Sequence, residues 1–259
     1  MNNKTINTEQ GHWILAKMGK KVLRPGGREL TNRLIKSLDF NETDDVVEFA
    51  PGIGHTARII LSKHPHKYTG IELNEEAAKK LSDKINGATN ATILNQSASE
   101  TTIEDNSTDV VIGEAMLTMQ ADHRKVEIIR EAFRILKEGG LYGIHELGLK
   151  PDNIQEEAKH TIQRSLAQTI KVNARPLTQK EWCTLLEQEG FAIKEVLESP
   201  MHLLRANRVI ADEGIFRTIK IGFNILTHPQ ARSRILEMRK VFEQYEDHMA
   251  AFAIIAQKP

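Results

Sequence analysis

The stretch Val46-Val47-Glu48-Phe49-Ala50-Pro51-Gly52-Ile53-Gly54-His55-Thr56-Ala57 decides the fold. Two β-branched residues run into an acid, then a loop of small residues and glycines, then Thr56-Ala57-Arg58-Ile59-Ile60-Leu61, which can wind as a helix. The order is strand, tight turn, helix. Gly52 and Gly54 lack the Cβ that would keep a ligand away from the backbone, and they can take positive φ. The helix N-terminus beyond them offers unpaired N–H groups and a partial positive charge. The stretch reads as a cofactor seat.

Gly52-Ile53-Gly54-His55-Thr56-Ala57 satisfies the dinucleotide pattern G-x-G-x-x-G/A, and Glu72 follows about twenty residues on. An NAD(P)-dependent oxidoreductase is therefore one reading. Glu48, at the carboxyl end of the strand, favours another: its carboxylate would repel a pyrophosphate but suits a bound cation, such as the ammonium or sulfonium of S-adenosylmethionine (SAM). Here the chain resembles the class I SAM-dependent methyltransferases, whose first motif E/D-x-G-x-G-x-G is matched by Glu48-Phe49-Ala50-Pro51-Gly52-Ile53-Gly54, with Ala50 in place of the first glycine. In motif style it is most similar to the small-molecule methyltransferases of the ubiquinone/menaquinone type. The phrase R-x-L-K-x-G-G of that family is matched by Arg134-Ile135-Leu136-Lys137-Glu138-Gly139-Gly140.

The resemblance implies an α/β fold: a Rossmann-like, seven-stranded, mostly parallel sheet with an antiparallel last strand. Over 259 residues we expect one methyltransferase domain. Residues 1–43 form an N-terminal helical cover, 44–200 and 248–259 the SAM-binding core, and 201–247 a helical insertion or lid. In the insertion, Ile215, Ile219, Phe223 and Leu226 predict one helix; Pro229, Ile235, Met238 and Phe242 predict a second. The spacing of Val126, Ile129, Phe133 and Leu136 predicts a helix from Asp122 to Lys137, closed by Gly139-Gly140 as a left-handed cap. Thr178-Gln179-Lys180-Glu181 is a capping box.

Lys and Arg together number 35, as do Asp and Glu, so no global field favours nucleic acid or an anionic membrane. The expected partner is a small-molecule acceptor, with no nucleic acid, no membrane and a possible homodimer. RNA or protein as acceptor is the less favoured alternative, and a non-catalytic SAM-binding or scaffold protein of the same fold is another. The single cysteine, Cys183, excludes an intrachain disulfide framework, and no histidine–carboxylate spacing specifies a metal. With no apolar leader and no apolar run of spanning length, a cytoplasmic location is expected.

Site residues follow from the turn and from the ends of the later strands. For SAM, with S-adenosylhomocysteine as product, they are Glu48, Ala50, Gly52, Gly54, Glu72, Leu73, Ser97, Ala98 and Glu114. Glu72 ends a second strand, where an acid can accept from both ribose hydroxyls. Gln96-Ser97-Ala98 stands where the family has G-D-A, so Ser97 cannot offer the family's carboxylate to the adenine. Strands ending in Glu114 and in His145-Glu146 reach the same rim. His145, Glu146 and Glu114 are therefore candidate bases, and His12, Trp13, Met116 and His145 candidate acceptor contacts.

Overall fold

The structure, a computed structural model, describes residues 10–259, without the side chain of His12. Two short helices come first, α1 (Gly11–Lys17) and α2 (Gly27–Leu38), followed by β1 (Asp45–Phe49), α3 (His55–Leu61), β2 (Lys67–Ile71), α4 (Glu75–Ile85), β3 (Ala91–Leu94) and β4 (Thr108–Glu114). Then come a 3₁₀ turn (Leu117–Met119), α5 (Asp122–Ile135), β5 (Leu136–Leu149), α6 (Glu156–Ile170), the two-residue β6 (Leu177–Thr178), α7 (Gln179–Gln188) and β7 (Ala192–Pro200). Three helices, α8 (Ala206–Glu213), α9 (Ile215–Thr227) and α10 (Pro229–Gln244), precede a 3₁₀ turn (Glu246–His248) and the last strand, β8 (Met249–Gln257).

The strands lie in the order β3-β2-β1-β4-β5-β8-β7, with β6 attached to the end of β5 outside that path. The expected seven strands are this path, and the short β6 is an eighth. β1 pairs in parallel with both β2 and β4, so the strand order reverses between β1 and β4, and ligands of such sheets bind outside the carboxyl ends at that point. β8 runs antiparallel to both of its neighbours.

Alternation along β1 divides the core. Val46 packs with Leu30 and Leu34 of α2 and Ile60 of α3, whereas Val47 and Phe49 pack with Ile128 and Ile129 of α5 and with Trp182 of α7. Each such side chain, fully buried, contributes on the order of 1.5–3 kcal/mol. A third apolar cluster joins α1, α6 and α10 through Leu15, Leu166 and Met238.

Three local expectations need correcting. Helix α5 ends at Ile135, and the chain enters β5 at Leu136 with ψ 139°, so Gly139-Gly140 is not its cap. Gly139, at φ +79°, instead sits where β5 shifts register against β4, its N–H donating to Lys258 O. The insertion holds three helices rather than two, because Gly214 breaks α8 from α9. The Thr178–Glu181 capping box and Pro229 in the first turn of α10 are present.

Candidate active site

β1, β2 and β4 deliver Glu48, Glu72 and Glu114 to the rim of a cavity of about 320 Å³. The glycine turn forms its floor. Gly52 takes φ +55°, and a Cβ built there would meet nothing nearer than Ala50 O at 3.9 Å, so the turn leaves open space above its backbone. Ala50 itself holds φ +53°, a left-handed conformation that favours glycine. The Glu72 carboxylate accepts from Gly52 N at 3.0 Å and Asn74 N at 2.9 Å, fixing the turn to the end of β2. Burial still raises the Glu72 pKa against these donors.

Glu48 is 3% exposed and accepts from Tyr68 Oη at 2.7 Å. Burial pushes its carboxyl up to about 8, the Tyr68 bond opposing the shift and Glu114 adding to it. An acid held in that state ionises when a cation arrives.

Glu114 is the hub of a buried polar cluster. It accepts from Thr31 Oγ1 at 2.6 Å and from Thr56 Oγ1, faces His145 Nδ1 at 2.7 Å, and pairs with Arg24 Nε at 3.3 Å. Burial would raise its pKa, but Arg24 and the His145 and Thr31 bonds outweigh it, and the group stays well below the ordinary range.

His145 does not reach the cavity. It is fully buried, with Nε2 against Pro25 O at 2.6 Å and Nδ1 against Glu114, so both ring nitrogens are taken up within the protein and neither is turned to the cavity. Its placement as base and as acceptor contact is corrected to a brace beneath the Arg24–Pro25 segment. Glu146 does line the cavity, yet its oxygens accept from the backbone N–H groups of Met116, Leu117 and Thr118 and from Thr118 Oγ1. Burial raises its pKa against those four donors. It shapes the 3₁₀ turn after β4.

Ala50, Met116 and Trp13 border the cavity. Gly54 does not: at φ +76° it starts α3, and an added Cβ would lie 2.2 Å from Leu81 Cδ1, so packing demands glycine there. Leu73, Ser97 and Ala98 also lie outside the cavity wall. Leu73 is 62% exposed, Ser97 Oγ bonds Ser99 Oγ at 2.8 Å, and Ala98 packs on the core. The side chain of His12 is outside the described residues.

Two groups on the wall were not anticipated. Arg24 Nη2 and His55 Nε2 are buried without a hydrogen-bond partner, and both residues line the cavity. Burial and Arg24 press His55 down to about 4, which keeps its ring neutral. Arg24 offers a cation and Glu48 a carboxyl that an ammonium would ionise within one cavity, the complement of an amino acid's carboxylate and ammonium, and the open floor at Gly52 leaves room for the rest of the cofactor. The donor set fits SAM.

A doubly wound sheet in this order, with a glycine turn after β1 and acids closing β1 and β2, defines a class I SAM-dependent methyltransferase, and the chain belongs to that family. Residues 46–140 match the methyltransferase domain. The chain is 34% identical over 253 residues to an uncharacterized protein of Haemophilus influenzae, spanning 96% of this chain and 98% of that protein. It is 21% identical over 220 residues to the phosphoethanolamine N-methyltransferase of Plasmodium falciparum, covering 78% and 82% of the two. Among solved structures, the phosphoethanolamine N-methyltransferase 2 of Haemonchus contortus, in complex with phosphomonomethylethanolamine and S-adenosylhomocysteine, superposes with TM-score 0.75 at 18% identity, over 99% of this chain and 59% of that one. The protein is an enzyme that uses SAM. Among the described residues, no helix is long and apolar enough to cross a membrane.

Proposed function

We propose that the enzyme methylates a small molecule with an apolar body. The observation that carries this reading is the wall of the cavity away from β1: Trp13, Leu15, Leu166, Met201, Met238 and Phe242, contributed by α1, α6, α10 and the segment after β7. On this reading residues 201–247 form a lid over the core, and the described part of 1–43 its cover. Glu48 takes the ammonium of the cofactor, Arg24 Nη2 its carboxylate, and Glu72 the ribose hydroxyls.

SAM supplies an activated methyl group, so the protein's task is alignment and exclusion of water. The apolar wall does both. Glu146 and His145 are fully engaged, and His55 is too weak a base, so the acceptor atom attacks with its own lone pair. An amine, thiolate or readily ionised hydroxyl meets that requirement. The phosphorylated amine bound by the Haemonchus contortus enzyme would demand cations deep in the chamber. The cations lining this cavity, Lys21 and Arg24, belong to the segment between α1 and α2.

The test is release of S-adenosylhomocysteine from SAM with graded series of amines, thiols and phenols, for the wild type and Leu166→Trp. Turnover that rises with the apolar size of the acceptor, and falls in the variant while S-adenosylhomocysteine affinity is kept, supports the reading. Turnover confined to phosphorylated or polynucleotide acceptors overturns it.

A further inference from the structure

The exposed large apolar side chains concentrate on α9. Ile215, Phe216, Ile219, Phe223 and Leu226 are each at least 64% exposed, and Phe216 reaches 90%. At 3.6 residues per turn these five fall within an arc of about 100°. The opposite side fixes the helix to the protein: Ile221 is buried against Gly19, Asn224 Nδ2 donates to Met18 O at 2.9 Å, and Ile225 joins the cluster of α1, α6 and α10. The arc is a held surface. A patch of this kind marks an interaction site.

Charge narrows the partner. Helix α9 carries Arg217 and Lys220 and no acid. Beside it Lys21, Arg28, Arg58 and Arg217 line one groove. The two acids of that groove are buried and engaged: Glu213 accepts from the backbone N–H groups of Lys21 at 2.6 Å and Val22 at 2.8 Å and lies 3.8 Å from Arg217 Nε, which stays 40% exposed, and Asp212 accepts from Arg28 N at 2.9 Å. Both acidic side chains are 1% exposed. A second copy docked on the same face by a two-fold axis would set this cationic helix against itself, with no acid on it to match. An anionic lipid surface is complementary to both the apolar arc and its cationic flank. The 13 residues of α9 extend about 20 Å, too short to span a bilayer and suited to lying in its surface.

We propose that α9 docks the enzyme onto an anionic lipid bilayer, with Ile215, Phe216, Ile219, Phe223 and Leu226 in the acyl boundary and Lys220, Arg217 and the groove cations facing the headgroup phosphates. The Asn224–Met18 bond holds α9 at the end of α1, whose Trp13 and Leu15 wall the cavity, and Lys21 borders both cavity and groove. Docking brings the chamber alongside the bilayer, whatever the acceptor is.

The experiment is co-sedimentation of the full chain with vesicles of phosphatidylcholine alone or with about a third phosphatidylglycerol. Binding is expected on the anionic vesicles, weakening as salt rises from about 0.1 M to about 1 M. Phe216→Ser with Phe223→Ser should lower the partition coefficient by roughly tenfold per phenylalanine. Arg217→Gln with Lys220→Gln, which removes both charges without placing a new carboxylate beside Glu213, should weaken the preference for phosphatidylglycerol. These side chains are outside the cavity, so unchanged thermal unfolding and S-adenosylhomocysteine affinity separate lost docking from lost fold. The proposal is overturned by failure to bind either vesicle, by vesicle binding that neither double variant alters, or by a dimer in sedimentation velocity that the serine variant dissolves without vesicle binding. Inorganic phosphate captured by the groove in a protein that ignores vesicles overturns it as well.

Discussion

Titrating the protein with S-adenosylhomocysteine across a range of pH tests the charge around which the cavity is arranged. Glu48 has an ordinary carboxyl value of 4.5, raised to about 8 chiefly by burial. At pH 7 roughly nine-tenths of ligand-free molecules therefore hold it protonated. An ammonium beside it favours the carboxylate, so binding should expel on the order of 0.9 proton per ligand at pH 7. Affinity should then rise by up to about tenfold per pH unit below 8 and level off above it. Calorimetry in two buffers of different ionisation enthalpy reads the proton directly. The ligand's own amino group also loses its proton on the alkaline side, so Glu48→Gln, which keeps the shape but cannot ionise, is the control that isolates the protein's share. Equal proton release from wild type and Glu48→Gln, or an affinity flat from about pH 6 to about pH 8, would refute the reasoning. The same shift has a sign in the free protein. Between 4.5 and about 8 the folded state binds more protons at Glu48 than the unfolded one, so this group's contribution to stability falls as pH rises through that window, by on the order of 4–5 kcal/mol. Glu48→Gln should lose that slope.

Glu114 carries the opposite sign: its folded pKa is depressed, so its contribution is present above the ordinary carboxylate range and lost as pH falls through the folded value. Glu114→Gln, leaving Arg24 and His145 without their carboxylate, should cost about 3–5 kcal/mol in urea denaturation at pH 7, the gap to wild type narrowing in acid. His145→Asn should lose a few kcal/mol of stability but leave the limbs of the pH–rate profile where they are; a moved limb would restore it as a base. Gly54→Ala drives a Cβ to 2.2 Å from Leu81 at φ +76° and should cost about 2–4 kcal/mol. Ala50→Gly relieves a left-handed alanine but loosens the unfolded chain, so its net effect in thermal unfolding should stay within about 1 kcal/mol.

What could be read from the sequence was local. Val46 to Ala57 specify strand, turn and helix through neighbours a few residues away, so Glu48, Gly52 and Glu72 were found where the cavity lies. His145 was misplaced because what withdraws it from the cavity is tertiary: its two ring nitrogens are taken by Glu114 and by Pro25 O, from elements 31 and 120 residues away. Arg24 carries no local signal, because its role depends on Pro25 being braced by His145, 120 residues away. The apolar wall joins α1, α6 and α10, whose individual patterns state only that each has a buried face. Gly139-Gly140 imitates a helix cap because the strand begins one residue after the helix ends.

The segment between α1 and α2 is tied to α8 by buried charges. Lys20 is buried with its Nζ 3.8 Å from Asp212 and 3.9 Å from Glu213 of α8, and burial lowers its pKa against both acids. Such pairs add little net stability, since desolvation cancels most of the attraction, but removing one partner is costly. Their effect is therefore on position. Glu213 and Asp212 also take the backbone N–H groups of Lys21, Val22 and Arg28, bracketing Arg24 and Pro25 on both sides. Between these brackets Arg24 meets Glu114, and Pro25 meets His145. The Arg24–Pro25 segment is thus held by Asp212 and Glu213 of α8 on one side and by Glu114 and His145 on the other.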